Sequence, residues 1–391
     1  MRSRRELLSI RSVKKTSTVA LLSVSVMVLT RADGGHELPI YPSFYPQEIR
    51  IETVDATAAA RRLPTGELHA YLGEVPAFRA KRPDAVSYVE TLGSYLVLTL
   101  QASPRAGGGD RCAAMETVVQ DLVRAESGFV FHPYPITPYH EAYLHHADLA
   151  EAARDRYRSR TRQETASGPA LRVRAKGAVA QALIPPGWRA AAGEGDAVLE
   201  EIEVAGLVAS HMLALNGWLG PPWVKEGWFH AYLLFAGALG DAAREEVDAL
   251  FARLRQGEHA TPTDKLNLER ALVRQMTRGC ERLVVGYTPR RWYFNAEYSN
   301  GIENLGYDSL TGFRSPLFLR TVKLKDFPWN GWLRLGIDAD PTAAWNPVAG
   351  FTDPAGSLVW LAVGDPALVP APYGAGWVLN RIADVRSTRE E

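Results

Sequence analysis

Two groups of side chains in this sequence have the types and spacing to do chemistry. The first lies in FHPYPITPYHEAYLHHADLAE, residues 131–151. If a helix follows Pro138, then Glu141, His145 and Asp148 fall at i, i+4 and i+7 and share one face. A carboxylate, an imidazole and a second carboxylate in a row could hold a transition metal such as zinc or iron, which take nitrogen and oxygen ligands. His132 and His140 are near enough in the chain to join them. The plainer reading is a charged helix face turned to water. The second group is Glu226 with His230, one helical turn apart among Trp223, Trp228 and Tyr232. A carboxylate beside an imidazole in apolar surroundings raises the imidazole pKa and can make a base or a metal ligand. His211, on the preceding apolar run, could face them. The alternative is a satisfied polar pair inside a core.

Aromatic side chains form a third group. All ten tryptophans lie at Trp188 or later. Trp223 and Trp228 flank Glu226, while Trp292, Trp329, Trp332, Trp345 and Trp377 occupy the last hundred residues with Tyr293, Phe294 and Tyr298. Such rings could stack on a sugar, a quinone-like ring or a partner protein. They could equally fill strands, where aromatics pack well. Several common chemistries have no motif here. The chain lacks CxxCH for haem, a P-loop, GxGxxG after a strand, and a GxSxG elbow.

Two short stretches resemble zinc-peptidase motifs, and both depart from them. His140-Glu141 resembles the start of HExxH, but the next histidine is His145, one position late, so it rotates away from His140 on a regular helix. The longer HExxxH spacing is similar to that of dipeptidyl peptidase III enzymes, which the rest of the chain does not resemble. Pro222-Trp223-Val224-Lys225-Glu226-Gly227 is similar to the segment that carries the third zinc ligand in thermolysin-like peptidases. That resemblance implies an HExxH some twenty residues upstream, and only ASHML (209–213) stands there.

The elements that must position these residues are organised around residues 204–239. No charge occurs between Glu203 and Lys225. Val204, Leu207, Val208, His211, Met212 and Leu215 recur at helical spacing. Asn216-Gly217 ends that helix and Pro221-Pro222 opens the next, so a buried helical hairpin is expected. A membrane hairpin is disfavoured by His211, Asn216 and the Gly-Pro-Pro break. Before it, SYLVLTLQ (94–101) reads as a buried strand. Asp110 caps a helix with Cys112 and Met115. Thr137-Pro138 opens another helix. Residues 171–184 read as paired strands and residues 198–204 as one more. After it come helices from Asp241 and from Thr263-Asp264. ERLVVGY, LFLRTVKL, NGWLRLGI and SLVWLAV then read as strands. The expected fold class is α+β: a mixed α/β region at 33–195, a central helical region at 196–280 and a β-rich region at 281–391.

Residues 1–32 read as a cleavable export signal. Arg2, Arg4, Arg5, Arg11, Lys14 and Lys15 precede a modestly apolar run, and Thr30-Arg31-Ala32 offers small residues at a cleavage site. Ser3-Arg4-Arg5-Glu6-Leu7-Leu8 resembles a twin-arginine export motif. The chain carries 44 basic and 44 acidic residues. Losing seven bases and one acid with the signal leaves a net charge of −6, which argues against a nucleic-acid partner and against anionic membranes. The two cysteines, Cys112 and Cys280, are expected to pair in an oxidising compartment. The sequence thus points to a soluble periplasmic or secreted protein with no membrane span after cleavage. The leading expectation is a binding or accessory factor for a small molecule or a periplasmic protein. The competing expectations are a metal-dependent hydrolase or oxidoreductase using the His/Glu groups, and a carbohydrate-binding module using the aromatics.

Overall fold

A computed structural model of the 391-residue chain describes residues 46–101, 111–124, 128–158, 171–185, 188, 195–212, 221–329, 331–342, 353–364, 366–382 and 384. Residues 1–32, read above as an export signal, the arm before residue 46, the helix end at Asn216-Gly217 and Trp345 lie outside them. In chain order the first half contains strands β1 (Glu48–Thr53), β2 (Ala70–Tyr71), β3 (Val86–Leu100), β4 (Val130–Phe131), β5 (Val173–Lys176) and β6 (Ala197–Glu203). Helices α1 (Ala56–Arg62), α2 (Arg111–Arg124), α3 (Ala147–Arg158) and α4 (Ala178–Leu183) fall between them. The helical stretch follows as α5 (Val204–Met212), α6 (Gly227–Phe235), α7 (Asp241–Gln256) and α8 (Pro262–Met276). The last part holds β7 (Arg282–Asn295), β8 (Ile302–Asn304), α9 (Pro316–Thr321), β9 (Lys323–Leu324), β10 (Trp332–Ile337), α10 (Pro354–Val363), β11 (Leu368–Pro370) and β12 (Trp377–Leu379).

The fold is α+β. Its centre is a mixed eight-stranded sheet in the order β1-β10-β2-β7-β3-β6-β5, with β4 also paired to β7. It takes strands from both ends of the chain. β1, β10 and β2 run parallel, whereas β7, β3 and β6 alternate in direction. β3 explains the apolar run in the sequence. Tyr95 and Val97 enter one core with α5, α6, α7 and α8, while Leu96 and Leu98 enter a second core with α2 and α4. A strand covered on both faces has no need of polar alternation. Pro289 interrupts its partner β7. Proline cannot donate to a ladder and is confined to irregular positions in sheets. Here the register slips between Leu92 and Ser94, opposite Pro289 and Thr288. Gly93 fills the slip, because a Cβ there would lie 2.9 Å from the Thr288 carbonyl oxygen.

The two halves of the apolar stretch differ. α6 buries Trp228, Phe229, His230, Ala231, Leu234 and Phe235, and each large apolar side chain contributes about 2 kcal/mol. α5 buries only one stripe, Val204 and Val208, and leaves Ala205, Gly206, Ala209 and Ser210 exposed. No helix among the described residues is long and apolar enough to cross a membrane. α8 begins with a capping box in which Thr261 and Asp264 bond each other's backbone, with Pro262 in the first turn, the arrangement that satisfies the free N–H groups of a helix start.

Several local expectations are corrected. Residues 171–184 form one strand and one helix: Gly177 turns the chain at φ 98°, and the alanine-rich AVAQAL that follows favours helix. SLVWLAV lies in α10, started by Asp353, whose side chain accepts from the Gly356 N–H, and by Pro354. LFLRT lies in α9, started by Ser315 and Pro316. After Thr137-Pro138 the chain makes a turn and a 3₁₀ segment (Glu141–His146) before α3 begins. His140 folds back so that its Nδ1 accepts the Thr137 N–H at 2.9 Å, which breaks the regular helix expected there.

Two cross-links join distant parts. Cys112 and Cys280 form a disulfide, with Cα atoms 5.4 Å apart. Lys225 pairs with Asp308, and both side chains are almost fully buried (6% and 5% exposed). The Lys225 ammonium also donates to the Ala371 carbonyl at 2.6 Å, and Asp308 accepts from the Leu310 and Thr311 N–H groups, both at 2.9 Å.

Candidate functional site

The imidazole of His230 belongs to a buried polar knot at the centre of the first core. Tyr95 comes from β3, His140 from the turn after Pro138 and His230 from α6. Their close approach depends on Gly227, where a Cβ would lie 2.8 Å from Ile136 Cγ1 and 3.2 Å from His140 Cγ. His230 Nε2 lies 2.8 Å from the Val224 carbonyl. A carbonyl only accepts, so Nε2 carries the proton and Nδ1 is the acceptor. His140 Nδ1 accepts from Thr137, so its Nε2–H donates to His230 Nδ1 at 3.1 Å. The Tyr95 hydroxyl donates to the Pro135 carbonyl at 3.0 Å and also lies 3.2 Å from His230 Nδ1. Burial pushes His140 well below the ordinary imidazole range, helped by His230, and pushes His230 to about 4. Both rings are neutral, and both nitrogens of each are engaged.

Glu226 does not join this knot. It sits at the N-cap of α6 and turns to the Lys265 ammonium of α8 at 2.9 Å. Lys265 also reaches Glu269 at 3.3 Å. Burial, then the Glu226 charge, push Glu269 up to about 7 against the pull of Lys265, and the Glu141 charge adds to the rise. Pro222–Lys225 form a 3₁₀ turn ahead of Glu226. The carboxylate that a thermolysin-like segment would offer to zinc is offered here to a lysine.

The remaining metal candidates are dispersed. His211 packs its ring against Phe229 at 5.0 Å and Trp223 at 6.5 Å. Glu141, His145 and Asp148 are exposed. Arg270 donates to both oxygens of Asp148, at 2.8 and 2.6 Å, and holds that carboxyl down at about 2. Among the described residues, no three or more His, Cys, Asp or Glu side chains are grouped so that they could hold a metal ion. Of the aromatic candidates, Trp228 and Trp292 are buried and Trp223 is partly so. Trp292 donates from Nε1 to the Thr91 hydroxyl at 2.9 Å and lies under the Arg290 guanidinium at 4.6 Å. Trp329 and Trp332 are 57% and 64% exposed, and Phe327 beside them is 64% exposed.

A larger opening lies at the other end of the sheet. Where β1, β10 and β2 end in parallel, a cavity of about 650 Å³ is lined by Asp55, Tyr71, Glu74, Arg314, Asp338, Asp340 and Asp353. Asp55 and Asp353 cap α1 and α10. Arg314 donates to the Leu72 carbonyl at 2.8 Å and to Asp338 at 3.2 Å. The Tyr71 ring is 2% exposed, and no described residue takes a hydrogen bond from its hydroxyl. Burial, then the charges of Asp338, Asp55 and Glu74, push that hydroxyl upward, so it keeps its proton. Gly73 leaves room for it, since a Cβ there would lie 2.4 Å from the hydroxyl oxygen. Sequence reading missed this site because its residues are single acids at strand ends, far apart in the chain. The one available signal was the placement of Asp55 and Asp338 just after apolar strand runs.

No family model matches this chain, and none of the curated proteins is similar to it in sequence. Among solved structures, the periplasmic EDTA-binding protein EppA matches with a TM-score of 0.33 and 13% identity, over 66% of this chain and 55% of its own. The chain therefore spans about half the length of that protein, and a likeness at this level carries no weight for fold or function.

Proposed function

We propose that this chain is an exported small-molecule-binding protein of the periplasm or cell exterior, and that its ligand enters the cavity at the carboxyl ends of β1, β10 and β2. The observation that carries the reading is the Tyr71 hydroxyl, which donates to no described residue and stands at the wall of a cavity of about 650 Å³, within the usual size of small-molecule sites. Ligands of open sheets commonly sit outside the carboxyl ends of parallel strands. Five carboxylates and one guanidinium line the cavity, so a ligand bearing a cationic group suits it, with an oxygen acceptor for Tyr71. Export is supported by the basic and apolar residues ahead of residue 33 and by the Cys112–Cys280 disulfide.

The test is native mass spectrometry of protein recovered from the periplasmic fraction. The expected result is a chain lacking the export segment and carrying a small noncovalent adduct, which Tyr71→Phe and Asp338→Asn variants lose. An unprocessed cytoplasmic chain, or an adduct indifferent to both substitutions, would sink the reading. The exposed Phe327, Trp329 and Trp332 favour a second reading, a saccharide-binding face. It predicts quenching of tryptophan fluorescence by oligosaccharides, abolished in a Trp329→Ala/Trp332→Ala variant.

A further inference from the structure

A second cavity, far smaller and of opposite charge, lies between α3, α8, the start of β7 and the Pro133–Pro135 turn. Its volume is about 130 Å³. Leu149, Ala153, Phe235, Leu283 and Val284 give it an apolar floor, and Arg156, Tyr157, Arg274 and Arg282 bring four hydrogen-bond donors to it, beside Thr277, whose hydroxyl donates to the Val273 carbonyl at 2.8 Å.

Three guanidinium groups facing one cavity repel one another unless each has an acid. Arg156 is paired with Glu116, held at 2.8 Å from Nε and by a second, shorter bond, while Arg282 feels only the more distant charge of Glu200. Arg274 and Arg282 make no hydrogen bond or ion pair to any described residue, and Arg282 Nε is buried with no partner. Tyr157 is 8% exposed, and no described residue takes its hydroxyl proton. Burial pushes that hydroxyl upward, so it remains a donor. Tyr134, also at the wall, is already committed to His146 Nδ1 at 2.8 Å. Arg282 Nε is therefore a buried donor with no acceptor, and the Tyr157 hydroxyl and the exposed Arg274 guanidinium stand at the same apolar-floored space with no described partner. Unpaired buried donors are costly, and a guanidinium fork matches a carboxylate in geometry as well as charge.

We infer that this cavity is a binding site for a small organic carboxylate, with the carboxylate against Arg282, Arg274 and the Tyr157 hydroxyl and a short apolar body on the Leu149, Phe235 and Val284 floor. The site is separate from the carboxyl-end cavity and does not depend on it.

Equilibrium dialysis of the mature, disulfide-bonded protein with radiolabelled benzoate tests this. One saturable site per chain is expected, with benzoate displaced by butyrate and not by benzamide. Arg282→Gln should weaken binding tenfold or more, the usual effect of losing a hydrogen bond to a charged group. Tyr157→Phe should weaken it severalfold, with circular dichroism and melting unchanged. The surface variant Arg50→Gln and the Tyr71→Phe variant should both bind benzoate as the parent does, so failure at one cavity is distinguishable from failure at the other. Absence of saturable binding would overturn the inference. So would displacement by inorganic phosphate as readily as by butyrate, since the apolar floor would then play no part, or affinity that survives Arg282→Gln.

Discussion

Replacing Lys225 by methionine tests the claim that the Lys225–Asp308 pair is a buried clamp between the start of α6 and the C-terminal part of the chain. The substitution keeps the length and apolar stem of the side chain and deletes the ammonium. Asp308 then stays enclosed (5% exposed) with only the Leu310 and Thr311 N–H groups for company. Removing one partner of a buried ion pair costs about 3–5 kcal/mol. The two retained backbone donors place this case near about 3 kcal/mol. The double variant Lys225→Met/Asp308→Asn leaves no orphaned charge and should recover most of the loss, to within about 1 kcal/mol of the parent. Urea unfolding at 25 °C, followed by tryptophan fluorescence and far-ultraviolet circular dichroism, gives all four corners of the cycle. The coupling between the two sites should be about 2 kcal/mol or more. A single-variant cost below about 1 kcal/mol, or a coupling near zero, would refute the reasoning, because the pair would then behave as an exposed one.

Three further outcomes are expected. Glu269 is raised to about 7 from an ordinary 4.5. Its contribution to stability is therefore present below about pH 4.5 and lost as the pH rises through 7. Glu269→Gln should accordingly gain on the parent by on the order of 2 kcal/mol between pH 5 and pH 8, read from urea midpoints, and a flat difference would contradict the assignment. The disulfide closes a separation of 168 residues, so Cys112→Ser should cost about 4 kcal/mol in denaturant unfolding, with equal stability under oxidising and reducing conditions as the contrary result. Gly227→Ala places a Cβ 2.8 Å from Ile136 and should cost about 1–3 kcal/mol by overpacking, measurable as a fall in melting temperature; an unchanged melting point would mean the Ile136 turn yields freely.

What could be read from the sequence was what depends on local pattern. The α+β class, the β3 run, α6 and the pairing of Cys112 with Cys280 all rest on runs of apolar residues or on cysteine parity. The misread segments share one cause. α9 and α10 open with Ser315-Pro316 and Asp353-Pro354, which are helix-start signals, yet the apolar residues after them, LFL and LVWLAV, suit a strand as well as a short buried helix. Spacing on an assumed helix failed for Glu141, His145 and Asp148, because the His140 ring takes the Thr137 N–H and breaks the helix. It failed for Glu226 and His230 in another way. The two are a turn apart as expected, but Glu226 stands at the N-cap position and its side chain faces Lys265, whereas His230 faces Tyr95 and His140. Both cavities draw residues from four or more separate elements, and no local pattern encodes such a meeting.

The position of β3 in the sheet also sets an order of assembly. Val97 pairs with Glu200 on one side and Val284 on the other, and β1 finds its partner only at residues 332–337. A chain emerging from its N-terminus therefore carries a strand that is apolar on both faces, with nothing to cover it, until most of the polypeptide has followed. Such long-range pairing makes folding slow and leaves collapsed intermediates open to aggregation. Cys280 arrives just ahead of β7, so both ends of the covalent link to Cys112 are present before β7, the partner of β3, has emerged. A holding chaperone and an oxidant are the two helpers this topology calls for.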